Sequence, residues 1–140
     1  MSKPKVLFLC TGNSARSQMG EALLRHKAGD RFEAHSAGLE PKGVNPLTVR
    51  VLDEIGIDTS SLRSKGVEEY LGRLPVQYLF VVCNDADQRC PAIWPGVSQR
   101  FAWPFEDPAA CEGTEAEKLA KFRRVRDQIS DKLDAWLEIN

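Results

Sequence analysis

One stretch of the chain gathers the groups that nucleophilic chemistry on an oxyanion needs: Leu9-Cys10-Thr11-Gly12-Asn13-Ser14-Ala15-Arg16-Ser17. It offers a thiol, a glycine, three hydroxyl side chains and a guanidinium. The apolar run before it reads as a buried strand, and the residues after it read as a helix. Backbone N–H groups at a helix start have no helical partners, and with the helix dipole they form a cradle for phosphate-like anions. Thr11, Gly12, Asn13, Ser14, Ala15 and Arg16 are the candidate anion-binding residues. Gly12 lets the backbone curl, and Arg16 adds a planar fork of donors matched to two oxygens of one anion. The same field should lower the Cys10 thiol from its ordinary value of ~8.5 toward roughly 3.5–7.5, with Ser17 placed to donate to the thiolate. The competing reading is a buried strand-end cysteine beside a solvated arginine. The position of Cys10 between strand and helix argues against that reading.

The elements that must hold this loop alternate in type. Val6–Leu9 is a continuous apolar run, as expected of a central parallel strand. A helix follows from about Ser17 to Lys27, its stripe including Met19, Ala22 and Leu23. Phe32 to Ala37 reads as a second strand. Asn45-Pro46 starts a helix, Asn as cap and Pro in the first turn, with Val49, Leu52 and Ile55 inward and a stop at Gly56. Gly66–Leu71 carries a weak helical signal. Val76–Cys83 is a third strand, rich in β-branched and aromatic residues, and Arg100–Trp103 a fourth. In the last helix Thr114 and Glu117 form a capping box, and Phe122, Val125, Ile129, Leu133 and Trp136 recur at helical spacing. Strand and helix alternation predicts an α/β three-layer sandwich around a mostly four-stranded parallel sheet, Rossmann-like, in a single domain spanning 1–140. Ligands of such folds sit beyond the carboxyl ends of the strands. Cys10 and Cys83 each end a predicted strand, so both should reach that edge.

Composition restricts the partners. The 140 residues are 42 % hydrophobic and 28 % charged with a formal net charge of −1, so no general basic field favours nucleic acid or an acidic membrane. The Val6–Leu9 run is too short for a signal-peptide core or a membrane span, and a soluble cytoplasmic monomer is expected. Thiols are kept reduced there, so Cys10, Cys83, Cys90 and Cys111 should not form a structural disulfide framework. His26 and His35 read as surface residues, and no His/Cys cluster has zinc-ligand spacing, so no metal is expected.

The segment CTGNSARSQM resembles the phosphate loop of the low-molecular-weight protein tyrosine phosphatases and of the thioredoxin-coupled arsenate reductases that share their fold. The whole chain, as far as RRVRDQI in the last helix, is similar to the reductase branch. The phosphatases carry their general acid in a late Asp-Pro pair, and Asp107-Pro108 matches it. Read alone, Asp-Pro is a common turn opener. The segment VVCNDADQRCP resembles the redox segment of the reductases, which implies roles for Cys83 and Cys90. Gln18 stands where the phosphatases usually have proline. The resemblance implies a relay. Cys10 attacks arsenic, with Asp107 protonating the departing oxygen. Cys83 then forms a disulfide with Cys10 as arsenite leaves. Cys90 next moves the disulfide to Cys83–Cys90, which thioredoxin reduces with electrons ultimately from NADPH through thioredoxin reductase. No tightly bound cofactor is implied, and glutaredoxin with glutathione is the alternative donor.

Two departures stand out. Ala15 replaces a second loop cysteine of many relatives. Many of the reductases also bind potassium through side chains matching Asn13, Glu21, Ser36 and an acid at position 65. Here that residue is Lys65, whose ammonium is expected to replace the potassium ion; a solvated surface lysine is the competing reading. Cys111 matches no family position. The first functional expectation is reduction of arsenate to arsenite, with phosphate or sulfate as mimics of the substrate. The alternatives are a low-molecular-weight phosphatase acting on phosphate esters, and a non-catalytic oxyanion-responsive redox sensor.

Overall fold

The computed structural model describes residues 3–71, 73–83 and 97–140. Four strands, β1 (Lys5–Cys10), β2 (Glu33–Gly38), β3 (Tyr78–Val81) and β4 (Gln99–Ala102), form one parallel sheet in the order β2-β1-β3-β4. β1 lies between two neighbours, which explains its uninterrupted apolar run: Val6, Leu7, Phe8 and Leu9 are all fully buried. Such a strand has no solvent face, so the apolar–polar alternation of a half-exposed strand is absent. Among the described residues the helices are α1 (Arg16–Ala28), α2 (Pro46–Asp53) and α3 (Glu115–Glu138), with short 3-10 turns at Val67–Glu69 and Pro108–Ala110.

The register shows how the layers are made. Phe8 and Phe80 are aligned and stacked, as are Phe80 and Phe101, and the Trp136 ring of α3 meets the edge of Phe80. α1 covers the same face. A Cβ built on Gly20 would stand 2.6 Å from the Phe8 ring, so α1 sits closer to β1 than alanine allows. α2 packs on α1 and α3. Leu7 and its register partner His35 face the other way. There the Tyr70 ring packs on His35; Leu62, Val67, Leu71 and Leu74 around it in sequence are partly buried against the core. The sheet is therefore covered on both faces, as the three-layer expectation requires. Among the described residues the second cover is irregular chain around Val67–Glu69 and not a long helix.

The helix starts follow their local chemistry. Asn45 Oδ1 accepts from the Leu47 N–H at 2.9 Å. Thr114 and Glu117 make the reciprocal capping box. One expectation fails. α2 ends at Asp53, so Ile55 falls in the turn toward Gly56, whose φ is +81°, and is 44 % exposed. Thr48, Val51 and Leu52 are the buried residues of α2, and Val49 is only half-buried.

Candidate active site

The loop between β1 and α1 is shaped from outside, through its carbonyl groups. The backbone N–H groups of Leu39, Glu40, Lys42 and Asn45 donate to the carbonyls of Cys10, Thr11, Gly12 and Ser14 at 2.8–3.1 Å. The Thr48 hydroxyl also donates to the Ser14 carbonyl. In a trans peptide the N–H points opposite to the preceding carbonyl, so outward carbonyls turn the following N–H groups inward. The Asn13 N–H shows the result, donating to Cys10 Sγ at 3.2 Å. Asn13 takes a left-handed φ of 47° to close the curl, a conformation asparagine tolerates better than most residues. The end of β2 approaches so closely that a Cβ on Gly38, its last residue, would lie 2.7 Å from the Thr11 carbonyl and 2.8 Å from the Asn13 nitrogen. α1 begins at Arg16 with no side-chain cap at Ala15 and no acidic residue in its first turn. Its positive end is therefore left to the cavity.

Cys10, Thr11, Gly12, Ser14, Ala15 and Arg16 line a cavity of about 130 Å³, closed on its outer side by Lys42, Asp107 and Ala109. Asn13 is not on its wall. It is fully buried behind the loop, where its side-chain amide donates to Ser17 Oγ at 2.8 Å and Ser36 Oγ at 3.0 Å. Because Ser17 Oγ already accepts from Asn13, its own proton is free to donate to Cys10 Sγ, 2.8 Å away. Arg16 donates to the Phe105 carbonyl at 3.1 Å and stands 3.7 Å from the Asp107 carboxylate. Asp107 Oδ1 in turn accepts from the Ala109 N–H and starts the 3-10 turn. Two of the five N–H donors of Arg16 suffice for two such contacts, which leaves donors for an anion.

The thiol departs from expectation. Burial pushes Cys10 above its ordinary value; the hydrogen bonds from Ser17 and Asn13 act in the opposite direction but do not overcome it. Cys10 is only 3 % exposed, and the nearby Cys83 adds to the upward push. Lost hydration of the thiolate therefore outweighs the donors that the sequence reveals.

Cys83 is brought to the same place. It lies just beyond β3, is buried, and its Sγ is 3.5 Å from the Thr11 hydroxyl. Cys90 and the polar stretch before it fall outside the described residues. Cys111 is partly exposed in the segment after the Asp107 turn, its thiol directed to the Glu112 carbonyl.

Behind the loop lies a buried polar cluster. Lys65 Nζ donates to the Arg63 carbonyl at 2.8 Å, to Glu21 Oε1 at 3.2 Å and to Ser36 Oγ at 3.4 Å. Its backbone N–H donates to Asn13 Oδ1 at 2.7 Å. Ser36 donates to Glu21, and Arg25 pairs with the second Glu21 oxygen. Lys65 is only 5 % exposed, so it is a buried, paired ammonium and not a solvated one.

Lys42 went unread in the sequence, and Gln18 was read only as a departure from the phosphatases' proline and not as a residue of the site. Gln18 Nε2 donates to Asn13 O, Asn13 Oδ1 and Arg63 O at 2.8–3.1 Å, tying the loop to the chain that carries Lys65. Its Oε1 is buried without a partner among the described residues. Lys42 forms part of the cavity wall. The available signal for Lys42 was its place just past β2, on the edge where ligands of such sheets bind.

A family model for the low molecular weight phosphotyrosine protein phosphatases matches residues 5–139. The chain belongs to that family. An arsenate reductase of Halalkalibacterium halodurans is 43% identical over 138 residues, covering 99% of this chain and 98% of its own length. A solved arsenate reductase in a phosphate-binding state superposes with a TM-score of 0.81 at 27% identity, covering 96% of this chain and 97% of that one. The thioredoxin-dependent arsenate reductase of Corynebacterium glutamicum superposes with a TM-score of 0.71 at 28% identity, covering 99% of this chain and 64% of that one. The phosphatase-family fold and the likeness to arsenate reductases thus extend over nearly the full chain.

Proposed function

We propose that this protein reduces arsenate to arsenite through Cys10, Cys83 and Cys90, in the cytoplasm, with thioredoxin regenerating the thiols. One observation carries the reading: Cys10 lines the loop cavity, its sulfur accepting from the Asn13 N–H, with a second thiol, Cys83, against the same loop. A hydrolase has no use for that second thiol. The relatives named arsenate reductase and the thioredoxin-dependent neighbour support it.

The steps follow from the arrangement. Arsenate is held by the loop N–H groups and Arg16. The Cys10 thiol, raised by burial, passes its proton to an oxygen of the bound arsenate dianion, and the sulfur then attacks arsenic. Asp107 donates a proton to the departing oxygen, which leaves as water. Cys83 thiolate attacks the Cys10 sulfur. The S–S bond forms, the S–As bond breaks, and its electron pair reduces arsenic from the +5 to the +3 state as arsenite departs. Cys90 thiolate attacks Cys83 and frees Cys10, and the Cys83–Cys90 disulfide takes two electrons from thioredoxin. A disulfide requires Cα atoms within about 7 Å, so Cys90 must approach Cys83 in that step. Lys65 is read as standing in for a bound potassium ion beside Glu21 and Ser36. Activity that rises several-fold with potassium at fixed ionic strength would remove that reading.

The test is mass spectrometry after a single arsenate turnover without thioredoxin. A Cys83–Cys90 linkage is expected. Cys90→Ser should complete one turnover and stall as a Cys10–Cys83 disulfide; steady multiple turnover by that variant, or oxidation confined to Cys111, contradicts the relay. Asp107 beside Arg16 favours a second reading, hydrolysis of small phosphate esters. That reading predicts turnover of an aryl phosphate that survives Cys83→Ser and is lost in Cys10→Ser.

A further inference from the structure

We infer that Lys42 is a specificity-determining residue of the cavity, an uncommitted ammonium that selects a small, doubly charged oxyanion. The inference rests on reading Cys10–Ser17 as the oxyanion site.

Three observations carry it. First, Lys42 is fixed to the loop. Its backbone N–H donates to the Gly12 carbonyl at 2.9 Å. Its side-chain Cδ and Cγ lie 3.4 and 3.6 Å from the point a Cβ on Gly12 would occupy. The aliphatic stem thus runs along the loop backbone at Gly12, which keeps the side chain on the cavity wall. Second, the other cation of the cavity is already offset. Arg16 stands 3.7 Å from the Asp107 carboxylate and donates to the Phe105 carbonyl, so at the binding stage, before Asp107 takes up the proton it later donates, guanidinium and carboxylate together bring little net charge. Third, Lys42 makes no ion pair among the described residues.

The charge balance then depends on Lys42. The start of α1 supplies roughly half a positive charge, and a tetrahedral dianion brings two negative ones. Lys42 is the group left to meet the difference. An exposed ammonium exchanges hydration for the anion, so its contribution is modest and falls with salt. A singly charged ester, or a bulky one displacing the lysine from Gly12, gains less from it than inorganic phosphate or arsenate.

The experiment uses the full reduced chain with inorganic phosphate as probe. Phosphate affinity is read from protection of Cys10 against alkylation, followed on the Cys10 peptide. Lys42→Ala should weaken phosphate binding about tenfold, the equivalent of about 1.4 kcal/mol, and flatten its dependence on ionic strength. Lys42→Arg should restore affinity to within about twofold, and Lys42→Glu should weaken it beyond the alanine variant. The KM for arsenate should rise with the same ranking and by more than kcat falls. An exposed side chain should leave the thermal midpoint of all three variants within a few degrees. Protection that Lys42→Ala leaves within twofold of the unmodified chain overturns the role of Lys42 while the oxyanion loop stands. Absence of any phosphate protection in the unmodified chain overturns the loop reading, and Lys42 with it.

Discussion

Cys10 stands between two opposed effects, and the donors around it are few enough to test singly. Burial raises the thiol, while the Ser17 hydroxyl and the Ser17 and Asn13 N–H groups lower it. Removing one donor to the sulfur therefore has a definite sign. Ser17→Ala should raise the Cys10 pKa further and move the acidic limb of alkylation rate, and of arsenate turnover, to higher pH. A hydrogen bond to a charged group contributes about 1.5–3 kcal/mol, so a shift of about one unit and a neutral-pH loss of about tenfold are expected. An unchanged limb would mean that the sulfur does not use this hydroxyl. Behind Ser17 stands Asn13, and behind Asn13 stands Gln18, which spends its amide N–H groups on Asn13 and Arg63 while its side-chain oxygen has no partner among the described residues. Gln18→Met keeps the volume and removes the donors. It should shift the same limb in the same direction, and its effect combined with Ser17→Ala should be less than additive, because both act along one chain of contacts.

At the scale of elements the loop depends on β2 as much as on β1 and α1. The chain after β2 holds the loop carbonyls, and Gly38 is where the two segments come closest. Gly38→Ala would push a methyl into the Thr11 carbonyl and the Asn13 nitrogen, neither of which is a flexible side-chain end. A destabilisation of about 1–3 kcal/mol is expected from overpacking, together with loss of phosphate protection of Cys10. Denaturant unfolding and alkylation kinetics check the two parts separately; a variant as stable as the parent and equally protected would show that the loop is not braced from this side. The same geometry explains what the sequence disclosed. Cys10 to Ser17 was legible because its groups are contiguous, and the starts of α2 and α3 because Asn45-Pro46 and Thr114–Glu117 act within one turn. Lys42 and Gln18 were not legible as site residues, since what places them is a carbonyl thirty residues earlier and another forty-five residues later. Ile55 was misplaced because the periodic pattern runs past the point where the chain turns out of α2. The direction of the Cys10 shift depends on how completely the fold buries the sulfur, which no local pattern records.

For the molecule as a whole, α3 closes the fold. Trp136 joins the aromatic layer over β3 and β4, while the start and middle of the helix meet α2. The polar part of that second contact centres on Glu54, just past α2. Arg123 grips both its oxygens at 2.8 and 3.1 Å, and Arg126 adds a further bond as well as one to the Val51 carbonyl at 2.8 Å. The paired guanidinium of Arg123, then that of Arg126, holds the Glu54 carboxyl down at about 2. A carboxyl depressed in the folded state favours folding while it stays ionised. Its contribution is therefore complete above the ordinary carboxylate value of about 4.5 and is lost as pH falls from there toward about 2. The group faces solvent, so salt should weaken the effect. Glu54→Gln should lower the urea midpoint at pH 6, and the gap between variant and parent should narrow as pH is taken from 4.5 toward 2. A gap that stays constant across that window would mean that Glu54 joins α2 to α3 by packing alone, with no contribution from its charge.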